Sequence, residues 1–214
     1  MIKNNHDVIL ASQTQPLHEK VIYWGTSPFG DHFKFPRELD IYNRGKSTEP
    51  MPLSVFVDAV KAAAERILIV DEYFFTSGSD DIKNTNHVQN IRDWFHKELI
   101  ASDIRILTGS HDKVTKDDLN QVCRQAELIN RTQPRRETTC TIAIKTNLSS
   151  TKFNYVHDRF AIVDNELWHF GGTVGGYMTK VSAVSRGWCA KETGAIDFFD
   201  LIWSRVGGKP HDVA

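Results

Sequence analysis

One short stretch gathers residue types suited to a phosphate ester: Val156-His157-Asp158-Arg159-Phe160-Ala161-Ile162-Val163-Asp164, then Gly171-Gly172-Thr173-Val174-Gly175-Gly176. His157 and Arg159 are two apart, so on a strand their side chains leave the same face. A guanidinium offers a fixed, bidentate clamp for phosphate oxygens. Asp164 falls just past the strand end, where a carboxylate can accept a hydrogen bond from an imidazole. The glycines let backbone N–H groups come close to an anion. Together these residues outline a phosphodiester site. The plainer alternatives are a structural histidine, a surface ion pair between Arg159 and Asp164, and glycines that only make a turn. Asp158 and His169 hint at a metal site, but adjacent strand residues point to opposite faces, which disfavours a shared ligand set with His157.

The elements that must position this stretch follow from periodicity. Pro52 suits a helix start, and Leu53, Phe56, Val57, Val60 and Ala64 fall at helical spacing. Arg66 to Asp71 contains a continuous apolar run, expected of a strand buried on both faces. Val88, Ile91, Trp94, Phe95 and Leu99 mark a second helix, and Ile104 to Thr108 a second strand. Leu119, Val122, Ala126 and Ile129 mark a third helix, with Thr115 and Asp118 as its capping box. Thr139 to Thr146 reads as a third strand. Tyr155 to Val163 and Glu166 to Phe170 read as two strands joined by a tight turn at Asp164-Asn165. A last helix carries Ile196, Phe199, Ile202 and Val206. Strands alternating with helices predict an α/β fold, a mixed sheet flanked by helices.

The 214 residues carry a net charge of −1, with 40% hydrophobic and 25% charged residues, which fits one globular domain with a core of its own. Near-zero charge argues against non-specific coating of nucleic acid and leaves room for a local basic groove. No apolar run approaches a membrane span or a signal h-region, so a cytoplasmic protein without membrane association is expected. Cys123, Cys140 and Cys189 lack metal-site spacing and read as reduced thiols. Residues 1–52 are dominated by turn chemistry and are expected to be an extension or a segment that caps the core, ahead of a main domain at 53–214. Asp71, Glu72 and Tyr73 end the first strand, where α/β sheets place ligand-contacting groups, and of these Tyr73 or Glu72 is expected to line the site. Arg131, Arg135 and Arg136 form a basic patch, either a solvated loop or a phosphate contact. His87, His96 and His111 read as helix-surface or loop residues.

His157-x-Arg159-x4-Asp164, followed after six residues by Gly171-Gly172-Thr173, resembles the signature of the phospholipase D superfamily. The upstream stretch Glu65 to Phe75 looks like that family's first core strand, so the resemblance covers roughly 53–205. It departs at Arg159, where the family has lysine, at Gly172 in place of a small hydroxyl residue, and at Gly175 in place of a frequent asparagine.

The resemblance implies an αβα sandwich and a metal-independent phosphodiesterase, a nuclease in particular, that needs no cofactor. His157 would form a phosphohistidine, Arg159 would bind non-bridging oxygens, and Asp164 would hold an imidazole in its tautomer. Gly171, Gly172 and Thr173 would contact substrate, and Glu192 would match a carboxylate that orients histidine. A second histidine would protonate the leaving oxygen. With one motif copy in the chain, that histidine would come from a homodimer partner sharing one composite site. The alternatives are a degenerate module that binds nucleic acid or a protein without turnover, and a phospholipid hydrolase or transferase.

Overall fold

The computed structural model describes residues 19–24, 31–32, 35–46, 52–76, 81–150, 156–176, 180–207 and 209–211. Its centre is β3 (Arg66–Val70), whose Ile67, Leu68, Ile69 and Val70 are all fully buried. Burial on both faces explains why this strand is apolar without alternation. β4 (Asp103–Leu107) and β5 (Thr141–Lys145) extend the sheet from β3 in parallel. On its other side β3 pairs antiparallel with β6 (Arg159–Val163), which turns back into β7 (Glu166–Phe170).

Three further strands complete the sheet: β8 (Ala183–Cys189), β1 (Val21–Trp24) and β2 (Asp31–His32). The order is β2-β1-β8-β7-β6-β3-β4-β5. The expected α/β class with a mixed sheet holds. The N-terminal segment contributes an antiparallel pair to the sheet edge: β1 aligns with β8, Tyr23 packs against the core, and Trp24 meets Phe35 at 4.8 Å between ring centroids.

Alternation in β3 serves two cores. Ile67 and Ile69 face α2 (Ser54–Lys61), α3 (Asp81–Trp94), α4 (Lys116–Cys123) and α5 (Gln125–Thr132). Leu68 and Val70 face α6 (Ala195–Arg205) through Phe199 and Ile202. Helices therefore cover both faces, as in an αβα sandwich. Helix α1 (Glu38–Lys46) precedes α2.

Local chemistry set several boundaries as expected. Thr115 and Asp118 make the reciprocal capping box, each side chain accepting the other's backbone N–H. The third helix is two eight-residue helices separated at Arg124. The second ends at Trp94, although Phe95 and Leu99 remain buried beyond it. β6 begins only at Arg159, so His157 and Asp158 precede the strand; the start expected at Tyr155 lies outside the described residues. β8 depends on Gly187, which has φ +101°, and a Cβ there would stand 2.6 Å from the Glu19 carbonyl oxygen. Glycine is what lets the incoming N-terminal backbone lie against this strand.

Candidate functional site

The antiparallel register of β3 and β6 decides which residues meet. Val70 aligns with Phe160, so the carboxyl end of β3 lies beside the amino end of β6. Arg159 aligns with Phe170, which brings the glycine turn after β7 to the same edge. Asp71, Tyr73, Arg159 and Val174 converge there.

Asp71 is the hub. Its carboxylate is 0% exposed; Oδ1 accepts the Tyr73 N–H at 2.9 Å and Oδ2 the Val174 N–H at 2.8 Å. The Arg159 Nε lies 3.5 Å from Oδ1, and the guanidinium sits over the Tyr73 ring at 5.2 Å. Burial raises Asp71 to about 6, against the opposing pull of the two backbone N–H groups and Arg159. Tyr73 is 40% exposed and packs against the His111 ring at 5.1 Å. His111 Nε2 lies 2.8 Å from the Glu72 carbonyl oxygen, which also accepts the Gly109 N–H. The sequence pointed to Glu72 and Tyr73. It is Tyr73 that packs on Arg159, while Glu72 holds the β4 loop through its backbone. Asp71 was grouped with them at the strand end but given no role of its own, although a carboxylate directly after a wholly apolar strand was its signal.

The glycine turn is rigid. Gly175 has φ +88°, and a Cβ on it would stand 2.3 Å from Trp94 Cη2, so only glycine lies flat on that indole. The Leu53 N–H bonds the Gly175 carbonyl, and Gly176 N–H bonds that of Thr173. Thr173 and Gly172 are buried and Gly171 is exposed. The anion that approaches a backbone N–H of this turn within the chain is the Asp71 carboxylate.

His157 does not join Arg159. Arg159 shares a sheet face with Ala161 and Val163, toward the helices packed on that side. His157 instead lines an open groove of about 610 Å³ on the α6 side, with Asp158, Phe160, Leu167, His169, Thr193 and Phe198. Among the described residues no side chain hydrogen-bonds its ring. His169 Nε2 lies 3.7 Å from Asp158 Oδ1 across the strand pair, because His169 aligns with Phe160 and so emerges on the groove side. Among the described residues no three or more His, Cys, Asp or Glu converge as a metal-binding group.

Asp164 differs from its expected place beside the imidazole. The five residues of β6 put about 13 Å between the Cα atoms at its ends, and His157 and Asp164 lie beyond opposite ends, so Asp164 does not reach His157 within the same chain. It has φ +55° in the β6–β7 turn, and its carboxylate accepts the N–H groups of Ala64, Glu65 and Arg66. It clamps the entry to β3. Glu192 is exposed on the turn after β8, its backbone N–H 3.4 Å from the Cys189 Sγ, and among the described residues no bond runs from its carboxylate to His157.

Among the other basic candidates, Arg136 spends its guanidinium on the carbonyls of Leu99, Ile100, Ala101 and Thr138, and Arg131 pairs with Glu127. Arg135 is exposed. His87, expected on a surface, is 2% exposed and bonds the Phe74 carbonyl, and burial lowers it to about 4. Helical spacing carried the signal: His87 stands four residues before Ile91 and seven before Trp94, on the same buried stripe.

No protein-family model matches this chain, and no curated protein does. Among solved structures it is similar to TrmBL2, described as an archaeal chromatin protein with a novel mode of DNA binding, at a TM-score of 0.34 and 9% identity over 73% of this chain. This chain spans about half of that protein, 50% of its length. It is also similar to NucT from Helicobacter pylori, at a TM-score of 0.44 and 10% identity over 89% of this chain and 99% of that one. Among the described residues no helix is long and apolar enough to cross a membrane.

Proposed function

We propose that this chain binds nucleic acid and hydrolyses its phosphodiester bonds, as a distant relative of the phospholipase D superfamily. The observation that carries the reading is the placement of Arg159: its Nε stands 3.5 Å from the buried Asp71 carboxylate and its guanidinium lies over the ring of Tyr73, a residue 40% exposed. A pre-positioned guanidinium stabilises the charge that builds on non-bridging oxygens in the transition state. The exposed part of Tyr73, beside Arg159 and His111, offers a base an aromatic contact, which favours a nucleic acid over a phospholipid.

In this reading the segment ahead of β6 brings His157 from the groove on the α6 side to the phosphate held by Arg159, and a His157 ring nitrogen attacks phosphorus, forming a P–N bond as the P–O bond to the leaving oxygen breaks. A second histidine gives that oxygen a proton. It then takes a proton from water, whose oxygen displaces His157 from phosphorus. The second histidine is assigned to His157 of a two-fold partner. The competing reading is a module that binds without cutting, favoured by the absence of any hydrogen bond to the His157 ring among the described residues.

The deciding experiment incubates single- and double-stranded DNA and RNA with the wild type, His157→Ala and Arg159→Ala, with and without EDTA. Cleavage is expected to survive EDTA, to vanish in His157→Ala, and to fall about 10²–10³-fold in Arg159→Ala. Mixing wild-type and His157→Ala chains under free exchange should lower activity as the square of the wild-type fraction. Binding without turnover selects the module. Cleavage abolished by EDTA and restored by Mg²⁺ overturns the histidine mechanism.

A further inference from the structure

Three elements meet at Asp71, and each uses a different contact on its carboxylate. The chain after β3 returns the Tyr73 N–H to Oδ1, the glycine turn offers the Val174 N–H to Oδ2, and β6 presents the Arg159 Nε 3.5 Å from Oδ1. All three neighbours are donors, so a proton placed on this carboxyl group would face donors only. The two backbone N–H groups are held by the sheet edge and by the turn packed on Trp94. Arg159 makes the longest of the three contacts, through a flexible side chain, and is the contact that gives way.

We propose that Asp71 is the positioning residue of this site: its ionised carboxylate holds the Arg159 guanidinium where it meets a phosphodiester, and protonation releases it. The proposal rests on the phosphodiester reading and deepens it with a pH-dependent control of the same site. The charged and titratable groups around Asp71 are Arg159 from β6, Glu72 and Tyr73 beside it in the chain, and His111 from the β4 loop, bound to the Glu72 carbonyl. The glycine turn contributes the Val174 N–H. Burial brings Asp71 to about 6, so its ionisation changes within the range where proteins work. Asp71 acts through Arg159 and need not touch the substrate.

The test follows the Arg159 Nε–H signal by ¹H–¹⁵N NMR from pH 5 to 7, assigned by its loss in Arg159→Lys. The same samples bind a fluorescent oligothymidylate in a His157→Ala background, which removes cleavage and the exposed imidazole. The expected signal moves with a midpoint near 6, and binding weakens about tenfold from pH 7 to pH 5. Asp71→Asn should displace the signal, abolish its titration and leave binding weak at every pH. A wild-type signal that does not titrate, which needs no variant to fold, overturns the proposal. So does a titration that persists unchanged in Asp71→Asn. A signal that titrates as expected, in a protein that neither binds nor cuts any oligonucleotide, upholds the Asp71–Arg159 coupling and overturns the phosphodiester reading instead.

Discussion

Replacing Asp164 separates a structural role from the chemical one its motif position suggested. In the wild type the Asp164 carboxylate accepts the N–H groups of Ala64 at 3.0 Å, Glu65 at 2.7 Å and Arg66 at 3.2 Å. Hydrogen bonds to a charged group contribute about 1.5–3 kcal/mol each when buried. The N–H groups of Ala64 and Glu65 lie at exposed positions and regain water, so about 1 kcal/mol per bond is the appropriate scale. Alanine also tolerates the left-handed φ of +55° worse than aspartate does, at a cost of about 1 kcal/mol. Asp164→Ala should therefore lose about 3–4 kcal/mol, a fall in Tm of about 6–16 °C for a domain of this size. Asp164→Asn keeps one acceptor oxygen and the tolerated φ, and should lose about 1 kcal/mol. Differential scanning calorimetry gives both values, and oligonucleotide binding measured well below either Tm should match the wild type per folded molecule. Two results would refute the reasoning: a Tm unchanged in Asp164→Ala, or folded variants that no longer bind.

Two further perturbations test the packing and the buried titratable groups. Gly175→Ala places a methyl group against the Trp94 indole at a φ of +88°, and should cost about 3 kcal/mol or more, read as a large Tm loss or failure to accumulate folded protein; wild-type stability would show that the turn does not lie on Trp94. The pH dependence of stability carries two opposed contributions. His87 is lowered to about 4, so stability is lost as pH falls from about 6.5 to 4, when only the unfolded chain takes the proton; Asp71 is raised to about 6, so stability is gained as pH falls from about 6 to 4. Each is worth about 3 kcal/mol at full extent, and they offset each other in the wild type. Asp71→Asn removes the compensation, so its urea midpoint should fall more steeply between pH 6.5 and 4.5 than the wild-type midpoint. Parallel curves would refute the assignment.

Local rules made much of this protein legible. The apolar run at Ile67 to Val70, the Thr115–Asp118 box and the tight turn at Asp164-Asn165 depend on nearest neighbours in the chain, and each forms where its residues predict. The edge strands were not legible. β1 is four residues long, and β8 is interrupted by Gly187; each is stabilised by the other, and that glycine has meaning only against the Glu19 backbone. The residue types of the candidate site were equally visible, and their grouping was not. Spacing put Arg159 with His157 and Asp164, but the strand carries Asp164 to the far end of the sheet, and His157 lies before the strand in a groove on the other face. The partners of Arg159 are Asp71 and Tyr73, brought from β3 by an antiparallel register that no stretch of sequence encodes by itself. Sequence determines which side chains a strand presents and where a turn bends, because those follow from backbone periodicity and turn chemistry. Which strand ends share an edge is decided by sheet order, and that order is set by the burial of both faces of β3 between two helical layers.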